Sequence, residues 1–119
     1  ANRWGREIFS LLHPDEKVLA MAKGAYVRLQ DASGDRTTIG GNFPSLLVVT
    51  NERVIWLREA YLFWSLKNIK LLTPVTRGDL RFEMTDGSKV QIALGLWLLN
   101  RTKIESVNKT LEALKLTHS

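Results

Sequence analysis

The chain has no cysteine in 119 residues. Disulfides, thiol nucleophiles, cysteine-ligated zinc and cysteine-ligated iron–sulfur clusters are all excluded by that one absence. Histidine is nearly as scarce: His13 and His118 lie close to opposite ends, and neither has an acid at a spacing that marks metal ligation or a catalytic triad. No glycine-rich phosphate cradle and no nucleophile elbow appears. The longest strongly apolar stretches, Leu46 to Val49 and Ala93 to Leu99, are far shorter than the roughly 20 residues of a membrane-spanning helix. The start is polar and lacks the sustained apolar region of a secretory leader. These absences lead to the expectation of a noncatalytic protein with no cofactor and no metal, cytoplasmic or peripheral to a membrane.

What is present is a single domain's worth of chain with a basic balance. A domain of this length buries roughly 65% of the surface its extended chain exposes, enough for a core without staples. Seventeen Lys and Arg against twelve Asp and Glu give a net charge of +5. That excess favours an anionic lipid surface, nucleic acid or an acidic protein as partner.

The hydrophobic pattern is mostly of period two. Residues 1–15 form an N-terminal extension in which Arg6 to Leu12 is compatible with a short helix, ended by His13-Pro14. Val18 to Leu29 reads as a strand, with Val27 and Leu29 on one side, Tyr26 and Arg28 on the other, and a bend or bulge at Gly24. Asp31 to Gly41 carries turn residues and little periodicity, so it is expected to be a mobile loop. Leu46 to Thr50 and Arg53 to Arg58 form a hairpin about Asn51-Glu52, which places Leu47, Val49, Val54 and Trp56 on one face and Val48 and Ile55 on the other. Apolar residues on both faces call for a second layer over the outer one.

Tyr61 to Leu66 and Ile69 to Thr73 are further strands. Leu80 to Met84 and Val90 to Leu94 alternate cleanly, and a three-residue Thr85-Asp86-Gly87 connection pairs Phe82 with Val90 and Glu83 with Lys89, with Gly87 at a left-handed bulge position. The last element is a helix from about Lys103 to Leu116. Thr102 and Glu105 form a capping box, and Ile104, Val107, Leu111 and Leu114 make one apolar face.

The segment Leu47-Val48-Val49-Thr50-Asn51-Glu52-Arg53-Val54-Ile55-Trp56, followed by Trp64-Ser65-Leu66-Lys67-Asn68-Ile69, resembles the pleckstrin-homology-like (PH-like) superfamily, including the bacterial PH and GRAM-like groups. The final alternating hairpin and capped helix fit the same pattern, so the likeness covers about Glu16 to Leu116, and residues 16–119 are expected to form one PH-like domain. It implies a mainly β fold with a C-terminal α-helix: a partly open antiparallel barrel of about seven strands capped by one helix. It also implies a scaffold for protein, intramolecular or phosphoinositide contacts, without selecting among them.

Three binding readings follow. The leading one is an adaptor that binds a protein segment or a neighbouring domain, with Tyr61, Phe63, Lys67, Lys70, Trp97 and Leu99 as contact candidates, Trp97 and Leu99 as the apolar anchors. The alternative is peripheral binding to anionic phospholipid or phosphoinositide through Lys23, Arg28 and Arg36, which fall where related domains place head-group cations. Against it, the compact family signature of Lys followed by Lys/Arg-x-Arg is missing, and Asp31 and Asp35 add opposite charge. Nucleic-acid binding is the minor alternative: Arg81, Lys89, Lys23 and Arg28 would track a backbone and Tyr61 or Trp97 would stack on bases. Thr50, Asn51, Arg53 and Trp56 are read as scaffold rather than site.

Overall fold

The computed structural model describes residues 10–57, 61–73, 79–93 and 105–114, apart from the side chains at 24–25 and 40–44. Among the described residues there are seven strands: Val18–Gln30 (β1), Arg36–Thr50 (β2), Arg53–Leu57 (β3), Tyr61–Ser65 (β4), Ile69–Thr73 (β5), Asp79–Met84 (β6) and Lys89–Ala93 (β7). A 3-10 turn, Leu66–Asn68, joins β4 to β5, and residues 105–114 are helical. The strands make one antiparallel sheet in the order β4-β3-β2-β1-β7-β6-β5. No helix among the described residues is long and apolar enough to cross a membrane.

The sheet is strongly curled. Five strand intervals separate β4 from β6, a distance of about 24 Å if the sheet were flat. Yet the Trp64 ring on β4 meets the Phe82 ring on β6 edge to face, with centroids 5.5 Å apart. The two long strands provide the bend: β1 pairs Gly24 with Ser45 and then Tyr26 with Gly40, so β2 carries three more residues than β1 across that step. The irregularity expected at Gly24 is therefore present, with the extra chain on its partner.

Curling wraps one face into a core. Ala22, Val27, Leu47, Val49, Val54, Trp56, Leu80, Phe82, Val90 and Ile92 share a single cluster with Val107 and Leu111 of the helix, and Leu114 packs against it. The helix thus lays its apolar stripe on the inner face, as its periodicity predicts. Outside, Leu46, Val48, Ile55 and Leu57 form a second cluster covered by Leu11, Leu12 and Val18. That supplies the outer layer which the doubly apolar hairpin demanded.

Both hairpin registers agree with the sequence reading. Val48 faces Ile55 and Val49 faces Val54 around Asn51-Glu52, and Phe82 faces Val90 while Glu83 faces Lys89. Two-residue hairpin loops ordinarily need left-handed residues, but none of the described non-glycine residues has positive φ. The Thr50 hydroxyl closes the turn instead, accepting the Glu52 and Arg53 amide protons at 3.1 and 3.0 Å. At the other hairpin Gly87 sits at φ +91°, where a Cβ would meet only Ala32 Cβ at an ordinary 3.5 Å. Gly87→Ala is therefore expected to cost about 1–2 kcal/mol from backbone strain alone, seen as a lower urea midpoint.

The expected mobile loop is corrected. Only residues 31–35 leave the ladder, and Arg36 already belongs to β2. Asp31 explains the short connection: one carboxylate oxygen accepts from the Ser33 amide, the Ser33 hydroxyl and the Asp35 amide, while Gly34 takes φ +100°. Period-two alternation fails over Arg36 to Gly41 because polar Thr37 and Thr38 stand where a buried strand would show apolar side chains. The short N-terminal helix lies largely outside the described residues, although residues 10–11 are helical. Trp97, Leu99 and the Thr102 cap also lie outside them.

Candidate functional site

Register places charge on the outer face of the sheet half formed by β2, β1, β7, β6 and β5. Thr38, Arg28, Gln91, Arg81 and Thr73 lie opposite one another in turn, making one row across five strands. Two residues further along, Arg36, Gln30, Lys89, Glu83 and Leu71 make a parallel row. Because side chains of a strand alternate, both rows face the same side, while Leu29, Val90, Phe82 and Leu72 between them join the core. A groove of about 700 Å³ opens on this region, lined by residues of both rows together with Leu29, Phe82 and Val90.

The groove is cationic. Arg28, Arg36, Arg81 and Lys89 line it against a single carboxylate, Glu83. Among the described residues Arg28, Arg36 and Lys89 make no ion pair. Arg28 lies over the Tyr26 ring at 5.1 Å, which supports its side chain without neutralising it. Asp79 holds Gln91, accepting from its amide at 2.8 Å, and lies 3.7 Å from Arg81. The turn carboxylates at one end are occupied by their own loops. Hydrogen bonds from Ser33 chiefly, and from Ser88 chiefly, hold Asp31 and Asp86 respectively below the ordinary range.

The sequence candidates divide on this geometry. Arg28 and Arg36 come together with Arg81 and Lys89, whereas Lys23 pairs opposite Leu46 in the other half of the sheet and does not line the groove. Tyr61 and Phe63 are exposed on β4 and stack at 6.1 Å, while Trp64 turns inward, as alternation predicts. Lys67 and Lys70 are exposed, but neither they nor the aromatic pair reaches the groove. Gln30, Gln91, Thr38 and Leu71 were missed by sequence reasoning. The hairpin register would have placed Gln91 beside Arg81, but the β1 to β7 pairing has no local signal.

Thr50, Asn51 and Arg53 are structural. Glu16 is buried and its carboxylate receives Arg53 Nε at 2.8 Å, Arg53 Nη2 at 2.9 Å and the Thr50 hydroxyl at 2.7 Å. Arg53 Nη2 also donates to the Leu11 carbonyl at 2.7 Å, and its guanidinium lies 5.0 Å from the Phe63 ring centre. Asn51 ties the turn to the segment preceding β1, accepting from the Lys17 amide at 2.7 Å and donating to the Asp15 carbonyl at 3.3 Å. His13, Glu16 and Glu52 bring ligand atoms within 4.8 Å of one another. A cation there would sit against the Arg53 guanidinium, on a carboxylate already accepting three side-chain bonds, so the cluster fits a clasp better than a metal site.

Burial alone pushes the Glu16 carboxyl up, but the bonds from Arg53, Thr50 and the His13 amide outweigh it and hold the group at about 2, against an ordinary 4.5. A depressed folded value contributes stability above the unfolded one. The contribution, about 3 kcal/mol, is therefore expected in full above pH 4.5 and to be lost as pH falls toward 2. Urea midpoints measured across that window check it, and Glu16→Gln should flatten the slope. A comparison with protein-family models matches none, and no curated protein matches the chain at a significant level.

Proposed function

We propose that the chain is a noncatalytic recognition domain of PH-like architecture, an adaptor that holds a segment of a protein partner in the cationic groove. The observation that carries this reading is that Arg28, Arg36, Arg81 and Lys89, one from each of four neighbouring strands, line a single groove on the outer face of the sheet. The strand order, the curl and the terminal helix support the PH-like part of the reading. Neutral Gln and Thr side chains interleaved with the cations supply hydrogen-bonding groups that suit a peptide backbone.

A second reading is favoured by one specific observation. Arg28 and Arg36, the pair suggested for lipid head groups, share the groove, and Leu71 at its far end on β5 is 56% exposed. Peripheral binding to an anionic membrane is the corresponding function. The two readings separate on the choice of probe. Fluorescence anisotropy with labelled polyglutamate, and co-sedimentation with phosphatidylserine-containing and neutral vesicles, are expected to favour polyglutamate. Binding should weaken with salt and fall about tenfold in an Arg28→Glu, Lys89→Glu variant. Preference for the anionic vesicles transfers the assignment to lipid. Retention of all binding after charge reversal removes the groove from both.

A further inference from the structure

Across the groove the cations are not clustered but strung out. β2 contributes Arg36, β1 Arg28, β7 Lys89 and β6 Arg81, alternating between the two rows, and β5 continues the alternation with the exposed Leu71. We infer that the groove reads an extended acidic peptide laid across the strands, with carboxylates on the four cations and an apolar side chain beside Leu71. This rests on the protein-segment reading above and adds the shape, charge order and apolar terminus of the ligand.

The track crosses four strand intervals, about 19 Å, which an extended chain covers in about six residues. A compact polyphosphate head group wants cations converging on one point, whereas here successive strands set them along a line. Single-stranded nucleic acid wants exposed ring faces for its bases. Among the described residues lining the groove the one aromatic, Phe82, is 3% exposed, and the half-buried Tyr26 ring on the same strand face as Arg28 is taken up by that guanidinium. Carboxylates meet Arg forks in a planar two-bond geometry, and three of the four cations are Arg. Glu83, set between Lys89 and Leu71 in its row, repels an acidic side chain there and so marks where the acidic run must end.

The test uses the full chain and a labelled peptide of about eight residues, four or five of them acidic and followed by leucine. Its partners are a variant peptide with serine for that leucine, inositol hexakisphosphate, phosphatidylserine vesicles and an oligothymidylate. The acidic-leucine peptide is expected to bind most tightly. Arg28→Glu or Arg81→Glu should each weaken it about tenfold, and Leu71→Ser or the serine peptide about threefold to fivefold. Its amide-shift footprint should run across β2, β1, β7, β6 and β5. Groove-dependent binding that favours inositol hexakisphosphate, vesicles or oligothymidylate, or that ignores Leu71→Ser and the serine peptide, overturns the inference while leaving the groove a binding site. Peptide binding unchanged by both charge reversals overturns the inference and the underlying reading together.

Discussion

Arg53→Ala is expected to lower the unfolding free energy by about 3–5 kcal/mol, read as a fall in urea midpoint near neutral pH. The residue removed is 5% exposed and the carboxylate it leaves behind, Glu16, is 6% exposed. Arg53 meets both oxygens of that carboxylate, so its loss strands a charge rather than a surface ion pair. The same side chain holds the Leu11 carbonyl and thereby the segment that covers the outer cluster. Arg53→Lys keeps the charge but not the fork, and its loss should fall between wild type and alanine. Acid distinguishes this account from simple loss of packing: with Arg53 gone, burial raises the Glu16 carboxyl, and protonating it relieves the stranded charge. The deficit of the alanine variant should therefore shrink as pH falls. A double variant, Glu16→Leu with Arg53→Met, should lose much less than the sum of the single losses. A cost below about 1 kcal/mol for Arg53→Ala, constant with pH, would mean that the pair is surface-like.

That clasp shows how far the sequence speaks. Thr50, Asn51 and Arg53 announce a structured turn through their side-chain chemistry, and the hairpin around them and the later β6–β7 hairpin were both legible because turn length fixes the pairing of residues only a few positions apart. Glu16 was not legible as the partner of Arg53, since the two are 37 residues apart and no periodicity links them. The groove divides in the same way. Arg81 beside Gln91 and Glu83 beside Lys89 follow from the β6–β7 register, and the alternation of Arg28 and Gln30 follows from β1. Their juxtaposition requires Arg28 to pair with Gln91 across 63 residues, a contact set by closure of the whole sheet. The strand at Arg36 was hidden for another reason: an outward-facing β-ladder carrying Thr and Arg reads locally like a loop.

Phe82→Ala is expected to cost about 3–5 kcal/mol, the range for emptying a buried aromatic position. Phe82 is 3% exposed and belongs to the main core, but its position in the sheet makes it more than filler. Its edge-to-face contact with Trp64 joins β6 to β4 across five strand intervals, and such a contact adds about 0.5–1.5 kcal/mol beyond area burial. No ladder of hydrogen bonds joins β4 to β6 in the described sheet order, so side chains must hold that curl. In the alanine variant amide exchange should rise together in β4 and β6, strands that a flat-sheet account would leave independent, and the Trp64 indole resonance should shift. Phe82→Leu restores most of the apolar volume without the ring, so it should recover stability more fully than it restores the indole shift. Because Phe82 also underlies the cations of the groove, the alanine variant should bind the acidic peptide more weakly while every groove charge is still in place. Equal protection of β4 and β6 in the variant and the wild type would show that the helix over residues 105–114, rather than this ring pair, keeps the sheet curled.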